Sequence, residues 1–376
     1  MPDRPGGPSL TAAPRTLADL VTPALIVDVP ALDRNIATMA RFFADGPCRL
    51  RPHVKAHKTP AIAKRQLAAG SCVGLTCATV GEAEMVAPLT GDILIANEVI
   101  GDAKWARVAA LARTLRVTTA VDSRRGVEGL AAAAQAAGAR IGVLVDLDVG
   151  QGRCGVRPGE QALSLARLVD AMPVLELRGV MGYEGHVQPM RDRAARDASA
   201  RESMQALVDT AGLLRGAGLA CPIVSAGGTG TYDISGRVPG VTEIQAGSYA
   251  LMDTDYGDVG VPFVPAFFVL GTVVSRPALD RIVLDCGHKS ATKDHGHPEV
   301  EGVPGARVTA FNDEHAVVAV PHDCMLAIGA RVRLRPSHTD PTVNLHDVFY
   351  AVEGDRVVDV WPIAARGYPE HRQGSL

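Results

Sequence analysis

The sequence predicts an α/β protein that consists of a (β/α)8 barrel followed by a smaller, mostly β domain. Between residues 49 and 246, apolar β-branched runs alternate with stretches long enough for crossover helices, which indicates parallel strands. After residue 267 the helical periodicity ends, and short β-rich segments separated by turns follow. A length of 376 residues exceeds what one hydrophobic core usually serves, so two domains are expected.

Composition and charge exclude several classes of function. A hydrophobic content of 47% with 21% charged residues is typical of a globular protein, and a net charge of −3 argues against nucleic-acid binding. No apolar run reaches the roughly 18 residues of a membrane span, and the leader has no apolar core of a signal peptide, which predicts a cytoplasmic protein. The seven scattered cysteines lack a Cys-x-x-Cys pair, so they are interpreted as reduced core residues.

The predicted organisation has three parts. Residues 1–22 form a leader and a strand that contributes to the β domain, residues 23–265 form the barrel, and residues 266–376 form the β domain. A short apolar strand over Ala24–Asp28 precedes a helix that begins at Pro30 and runs towards Phe43.

Eight barrel strands and seven later strands are predicted from the apolar runs. The barrel strands are Arg49–Lys55, Val73–Thr79, Asp92–Asn97, Val117–Asp122, Ile141–Asp148, Gly179–Tyr183, Ile223–Gly227 and Thr242–Ala246. The later strands are Val269–Ser275, Arg281–Asp285, Arg307–Thr309, Ala316–Val320, Arg331–Leu334, Val348–Val352 and Arg356–Val360. A doubly wound open sheet is the competing architecture, but no Gly-x-Gly-x-x-Gly follows the first strand.

Glycine-rich turns follow the last two predicted barrel strands. Gly-Gly-Thr-Gly-Thr (227–231) follows the first of these strands, and Gly-Ser-Tyr (247–249) follows the second. Small residues let main-chain N–H groups approach an anion, and Ser225, Thr229, Thr231 and Ser248 offer hydroxyl donors. Because barrels commonly bind phosphate after their last two strands, these turns predict a phosphate cradle; two ordinary tight turns are the alternative.

Lys55 is the candidate nucleophile. It ends the first predicted barrel strand and therefore lies at the carboxyl-terminal mouth, where barrel active sites are found. Thr59 and Pro60 have the residue types of a helix N-cap and first helical position, so Lys58 is interpreted as a solvated loop residue. An amine facing a phosphate cradle suits an aldehyde cofactor that carries a phosphate, whereas a plain surface charge is the alternative.

The chain resembles the D-threonine aldolase and D-serine dehydratase branch of the fold-type III pyridoxal-phosphate enzymes, which have an alanine-racemase-like barrel. The resemblance covers nearly the whole chain, and the joint order of its motifs is specific. These motifs are Arg-Pro-His-Val-Lys-Ala-His-Lys (51–58), Val-Gly-Gln-Gly-Arg-Cys-Gly-Val (149–156), Gly-Gly-Thr-Gly-Thr (227–231), Gln-Ala-Gly-Ser-Tyr (245–249), Asn-Asp-Glu-His (312–315) and Ser-His-Thr-Asp-Pro-Thr-Val-Asn-Leu-His-Asp (337–347).

The resemblance implies specific roles around pyridoxal 5'-phosphate. Lys55 matches the lysine that forms the Schiff base, Arg153 lies beside the phenolic oxygen of the cofactor, and Tyr183 lies near its ring. The implied phosphate site and its surroundings comprise Ser225, Gly227, Gly228, Thr229, Gly247, Ser248 and Tyr249.

His338 and Asp340 are the candidate metal ligands. In an extended segment, side chains at positions i and i+2 point the same way, so an imidazole and a carboxylate can converge on one divalent cation. A lone His-x-Asp is common, but the family resembled carries its metal ligands at this position. Asp340 stands where the dehydratases carry cysteine, which favours the aldolase and Mn²⁺ over Zn²⁺, Mg²⁺ or Co²⁺.

The sequence leaves more than one candidate for the general base. The family's aldolases often have histidine directly after the tyrosine, whereas here Glu184 occupies that position and His186 follows two places later. His186 is the candidate base, with Glu184 or metal-bound water as alternatives and a purely structural contact as a further one. The segment Asp313–His315 is either part of the site or a polar turn.

The implied reaction is a metal-dependent retro-aldol cleavage of a D-β-hydroxy-α-amino acid to glycine and an aldehyde. Dehydration of D-serine or 3-hydroxy-D-aspartate to a keto acid and ammonia is the alternative, because the same residues support both. A cofactor-binding homeostasis protein would share the barrel and lysine but lack the β domain and metal pair, and a racemase would need a second base at Cα. The resemblance also implies a homodimer acting on a small-molecule substrate.

Overall fold

The computed structural model describes residues 15–367, and the structural statements below refer to these residues. The strands are β1 (Ala24–Asp28), β2 (Arg49–Leu50), β3 (Leu75–Cys77), β4 (Asp92–Glu98), β5 (Arg116–Val121), β6 (Ile141–Asp146), β7 (Leu175–Met181), β8 (Ile223–Ala226), β9 (Glu243–Ile244), β10 (Phe267–Ala278), β11 (Arg281–Leu284), β12 (Glu299–Val300), β13 (Arg307–Phe311), β14 (Ala316–Ala319), β15 (Arg331–Arg335), β16 (Val348–Glu353) and β17 (Arg356–Pro362). The α-helices are α1 (Val29–Phe42), α2 (Pro60–Ala68), α3 (Val80–Val86), α4 (Asp102–Ala112), α5 (Arg124–Ala137), α6 (Glu160–Asp170), α7 (Arg193–Gly216), α8 (Tyr232–Ser235), α9 (Thr254–Gly257) and α10 (Thr339–Asn344).

The first layer is an eight-stranded parallel sheet in the order β2-β9-β8-β7-β6-β5-β4-β3. Single parallel bridges from Leu50 to Cys72 and from His53 to Thr76 join its two edges, so the sheet closes on itself. This confirms the predicted barrel and excludes the open doubly wound sheet within the described residues.

The barrel strands are apolar because they are covered on both faces. All six residues of β6 are buried, and β5 is buried after its first residue. Parallel strands that carry helices outside and side chains inside read as continuous apolar runs rather than alternating ones. The same pattern made these strands visible in the sequence.

The second layer is a largely antiparallel sheet in the order β13-β14-β11-β10-β1-β16-β17, with β15 paired to both β10 and β12. Its strands agree with the predicted β domain, apart from the short β12, which the sequence did not indicate. Bulges interrupt the pairing of β10 with β11 and of β13 with β14.

β1 belongs to this second sheet, which corrects the predicted barrel boundary at residue 23. It pairs antiparallel with β10 and parallel with β16, and α1 then carries the chain to the barrel. The N-terminal part of the predicted leader, residues 1–14, lies outside the described residues. Thr16 forms a bridge with Arg356 at the edge of the same sheet.

The loops at the barrel mouth start earlier than predicted. β2 ends at Leu50 and β9 at Ile244, where the sequence predicted strands to Lys55 and Ala246. The chain beyond β2 forms a 3₁₀ turn over Val54–Ala56 instead.

Within residues 15–367 no helix is both long and apolar enough to cross a membrane.

Candidate active site

Two adjoining cavities lie at the carboxyl ends of the barrel strands. The cradle cavity, about 250 Å³, lies under the glycine turns, and the histidine cavity, about 320 Å³, is lined by His295 and His338. Both are lined by Lys55, Tyr183, Ser248 and Tyr256. Since barrel enzymes act at this end of the fold, the two cavities define the candidate active site.

Lys55 lies where the two cavities meet. It sits in the 3₁₀ turn after β2, and its Nζ is 3.4 Å from Asp340 Oδ1. The carboxylate of Asp340 raises the pKa of Lys55, because it stabilises the ammonium form. The structure therefore places an amine of the predicted kind at the mouth of the barrel.

Lys58 is not solvated, so its interpretation as a solvated loop residue was wrong. Its Nζ lies 2.7 Å from Glu82 Oε1, and its side chain is 12% exposed. The backbone at Lys58 has φ +50°, which turns the chain into Thr59 and Pro60 at the start of α2. The helix start itself is as the sequence predicted.

The glycine turns are shaped to admit an anion. Gly227 has φ +77°, and a Cβ on Gly228 would lie 2.7 Å from Gln188 Oε1. The amide N–H groups of Thr229 and Ser248, two residues that line the cradle cavity, have no acceptor within residues 15–367. Unfilled backbone donors beside glycines suit a phosphate group, so the residues present fit pyridoxal phosphate here.

A buried carboxylate accepts hydrogen bonds from the first glycine turn (227–231) and from α8, which follows it. Glu184 is fully buried and accepts hydrogen bonds from Gly227 N at 3.2 Å, Thr231 Oγ1 at 2.6 Å and Ser235 Oγ at 2.7 Å. All its partners belong to the cradle or to α8. Glu184 is thus placed to hold the cradle, a role that the sequence did not reveal because these partners are 43 to 51 residues away.

Arg153 and Tyr183 form one wall of the cradle cavity. The guanidinium carbon of Arg153 lies 5.7 Å from the centre of the Tyr183 ring. Burial raises the pKa of Tyr183 and that of Tyr256 beside it, which keeps both phenols protonated. A cation and two neutral phenols therefore border the space where the cofactor ring would lie.

Ser225 and Tyr249 support the cavity wall and do not line it. The Ser225 hydroxyl accepts a hydrogen bond from Gln245 Nε2 at 2.8 Å, and Gln245 lines the cavity. The Tyr249 hydroxyl lies 3.1 Å from Gln66 Nε2, and its amide donates to Thr229 Oγ1 at 2.9 Å. The structure thus does not bring these two predicted cofactor contacts into the cavity.

His338 and Asp340 lie at the start of a helix, not in the extended segment predicted. His338 is the N-cap of α10 and Asp340 lies in its first turn, with 3.7 Å between His338 Nε2 and Asp340 Oδ2. Asp340 Oδ1 is buried and, within residues 15–367, makes no hydrogen bond besides its ion pair with Lys55. An imidazole nitrogen and carboxylate oxygens at this separation suit a divalent cation, so the donor set fits the predicted metal.

Three further groups surround this pair and were missed from the sequence. Asp294 Oδ2 lies 2.5 Å from His338 Nδ1, and the ring of His295 stacks on that of His338 at 4.1 Å. Asp253 accepts hydrogen bonds from the amide and hydroxyl of Thr339, both at 2.8 Å, which fixes the first turn of α10. The aspartates Asp253 and Asp255 just before Tyr256, and the segment Asp294–His297, were the available signals.

His186 is exposed at the rim of the histidine cavity. Gly185 and Gln188, on either side of it in the chain, line that cavity, whereas the imidazole itself packs against Gly150. The segment Asp313–His315 is a turn in which Glu314 pairs with Lys289 at 2.6 Å on the surface. The structure does not bring this segment into either cavity.

A closed parallel barrel with a lysine, a glycine cradle and an adjoining imidazole–carboxylate pair defines a barrel-type pyridoxal-phosphate enzyme. Residues 27–255 match the family model described as alanine racemase, N-terminal domain, and residues 266–352 match the putative serine dehydratase domain. The chain belongs to the D-threonine aldolase and D-serine dehydratase-like family of fold-type III enzymes.

Individual relatives agree over nearly the full length. The chain is 42% identical to a D-threonine aldolase of Arthrobacter sp, covering 98% of this chain and 96% of the relative. It is 31% identical to a D-threo-3-hydroxyaspartate dehydratase of Delftia sp., covering 92% and 98%. The crystal structure of a D-threonine aldolase from Filomicrobium marinum has a TM-score of 0.92 at 40% identity, covering 95% of this chain and 99% of that one.

Proposed function

We propose that the protein is a pyridoxal-phosphate- and divalent-metal-dependent lyase that cleaves D-β-hydroxy-α-amino acids to glycine and an aldehyde. The observation that carries the proposal is the position of Lys55 Nζ, 3.4 Å from Asp340 Oδ1 and beside the glycine cradle. A substrate held at Lys55 would therefore present its β-hydroxyl to the His338 and Asp340 pair. Similarity to the Arthrobacter D-threonine aldolase supports the same reaction.

The proposed site residues fall into two groups, those that would hold the cofactor and those that would hold the cation. Lys55, Arg153, Tyr183 and the glycine turns would hold pyridoxal phosphate, while His338 and Asp340 would hold the cation. When bound, the cofactor supplies an electron sink for the bond broken at Cα, and the cation lowers the pKa of the hydroxyl it binds.

The chain itself supplies orientation and charge balance. Asp294 holds the ring of His338 through Nδ1, which leaves Nε2 directed towards Asp340. Tyr183 and Tyr256 line both cavities, so they restrict water at the junction. His186 is our proposed proton acceptor for the β-hydroxyl, since its neighbours Gly185 and Gln188 line the histidine cavity.

Dehydration is the second candidate, because the same ligand pair can assist departure of the hydroxyl oxygen. The carboxylate of Asp340 is a harder donor than the cysteine thiolate expected of the dehydratases. This carboxylate favours Mn²⁺ as the bound cation, with Mg²⁺, Co²⁺ and Zn²⁺ as the other candidates. For the same reason it favours the aldolase reaction over dehydration.

One product assay tests the proposal. The purified protein, supplied with pyridoxal phosphate and Mn²⁺, is incubated separately with D-threonine, D-3-phenylserine, 3-hydroxy-D-aspartate and D-serine, and glycine, aldehyde, keto acid and ammonia are measured. We expect glycine and the matching aldehyde from the first three, and little pyruvate from D-serine. Ammonia and keto acid without glycine would establish the dehydratase, and activity on L-substrates alone would refute the stereochemical assignment.

We also propose that the enzyme works as a homodimer, which the resemblance implies, and that it works in the cytoplasm. Light scattering on the purified holoenzyme measures the mass directly, and a mass of one chain would refute the dimer. Cell fractionation tests the compartment.

A further inference from the structure

Three carboxylates that the proposed reaction does not use meet beside the cradle cavity. Glu98 ends β4, Asp122 directly follows β5, and Asp146 ends β6. Because these strands are neighbours in the parallel sheet, their carboxyl ends place the three side chains at one edge. Carboxylate oxygens of Glu98 and Asp122 and the sulfur of Cys154 all lie within 4.8 Å of one another.

Two of these carboxyl groups lack the donors that a buried anion needs. Asp146 is 7% exposed, and no N–H or hydroxyl group within residues 15–367 donates to its side chain. Glu98 Oε1 is buried and likewise has no hydrogen-bond partner. Burial, together with the Glu98 carboxylate beside it, raises the pKa of Asp146 to about 8.

Arg153 precedes Cys154 in the chain and is the cation that acts on Asp146, but it remains outside the cluster. Its side chain lines the cradle cavity against Tyr183 and makes no ion pair within residues 15–367. Three ionised carboxylates would be expected to draw a neighbouring guanidinium into a salt bridge. The position of Arg153 outside the cluster is explained if the three carboxyl groups carry fewer than three negative charges.

We propose that Asp146 is a neutral carboxylic acid that donates its proton to Glu98 Oε1, and that this acid–carboxylate pair positions Arg153. The shared proton satisfies the orphaned oxygen of Glu98 and removes one negative charge from the cluster. Arg153 then stays at the cavity wall, free to bind the cofactor. The role of Arg153 rests on the proposed function, whereas the shared proton does not.

The groups that face the pair are Glu98 and Asp122 from the neighbouring strands and Arg153 and Cys154 from the loop after β6. Arg153 favours ionisation of Asp146, and Asp122 disfavours it. When the shared proton is lost at alkaline pH, the pair becomes doubly charged. Arg153 is then drawn from the cavity into the cluster.

The first measurement is the infrared carbonyl stretch of a protonated carboxyl group, which needs no bound cofactor. We expect this band in the wild-type protein at pH 7 and its loss above pH 8. Asp146→Asn should lack the band, and the matched control Asp122→Asn should keep it. Absence of the band from the wild-type protein at pH 7, or its persistence in Asp146→Asn, would overturn the shared proton.

The second measurement is the affinity for pyridoxal phosphate as a function of pH, followed by the visible absorption of the bound cofactor. At pH 7 we expect Asp146→Asn and Glu98→Gln to bind within about twofold of wild type, because each keeps one negative charge and one internal hydrogen bond. Above pH 8 the wild-type affinity should fall about tenfold further than that of Asp146→Asn. Superimposable pH curves, or a tenfold loss in Asp146→Asn at pH 7, would overturn the positioning role.

The two proposals fail in different ways. A protein that binds no pyridoxal phosphate but shows the infrared band would refute the proposed function and retain the shared proton. A yellow, active enzyme without the band would do the opposite.

Discussion

Replacing Glu184 with glutamine separates a structural role of this residue from a catalytic one. The carboxylate accepts three buried hydrogen bonds, two at Oε1 from Thr231 and Ser235 and one at Oε2 from Gly227. In Glu184→Gln the amide oxygen can keep the two hydroxyl donors. The amide nitrogen then faces the Gly227 N–H, and this donor is left unsatisfied.

The structure allows the cost to be worked out. An orphaned buried donor costs about 1–3 kcal/mol, and losing the charge on the acceptor weakens the two remaining bonds by roughly 0.5–1 kcal/mol each. The sum is on the order of 3 kcal/mol. At about 1.4 kcal/mol per tenfold, up to roughly a hundredfold weaker binding of pyridoxal phosphate follows if the cost falls on the bound state.

The assay is a titration of the apoprotein with pyridoxal phosphate, with thermal unfolding and kcat at saturating cofactor measured on the same samples. Glu184→Gln should bind the cofactor ten- to a hundredfold more weakly and unfold earlier, with kcat within about threefold of wild type. Glu202→Gln, the same change at an exposed position of α7, is the control. Unchanged affinity and stability together with a collapsed kcat would refute the reasoning and make Glu184 the base.

Four shorter predictions follow from the same geometry. Borohydride should fix the cofactor on Lys55, and mass mapping of the adduct to the Glu82-paired Lys58 would contradict the site. Gly247→Ala would place a Cβ 2.6 Å from the His53 carbonyl oxygen, so cofactor affinity should fall at least tenfold in the same titration. Exhaustive chelation should abolish turnover while the cofactor's absorption is retained, and full activity without metal would exclude the metal role. His186→Ala should lose at least a hundredfold in kcat with little change in cofactor affinity, and wild-type kcat would remove it as the base.

Much of the site was predictable because its chemistry is local in sequence. The residue types at Thr59 and Pro60 mark the start of α2 without reference to the rest of the chain. The glycine turns likewise need their own residue types, since Gly227 has a positive φ and a Cβ on Gly230 would clash with the backbone oxygen of Gln188. Strands that are buried on both faces are recognisable in the sequence as continuous apolar runs.

The errors concern pairings between distant residues. From its sequence neighbours alone, Lys58 is indistinguishable from a solvated loop lysine. Its partner Glu82 lies 24 positions later, in α3. His338 and Asp340 lie 3.7 Å apart, as close as an extended segment would bring them, but they do so at the start of a helix, so the predicted backbone geometry was wrong. β1 has the composition of any buried strand, and only its pairing with β10 and β16 shows which sheet it joins.

The position of the proposed metal ligands, His338 and Asp340, relative to Lys55 depends on a contact between the two domains. Asp253 follows the last barrel strand, and its carboxylate holds the amide and hydroxyl of Thr339 at the start of α10. α10 belongs to the β domain, so this contact sets the distance between Asp340 and the lysine of the barrel. Cleavage of the Cα–Cβ bond would need a base at the β-hydroxyl proton, whereas dehydration would need a base at the Cα proton while the cation assists departure of the hydroxyl oxygen. We therefore expect the contact between Asp253 and Thr339, which positions Asp340 relative to Lys55, to influence the balance between the two reactions.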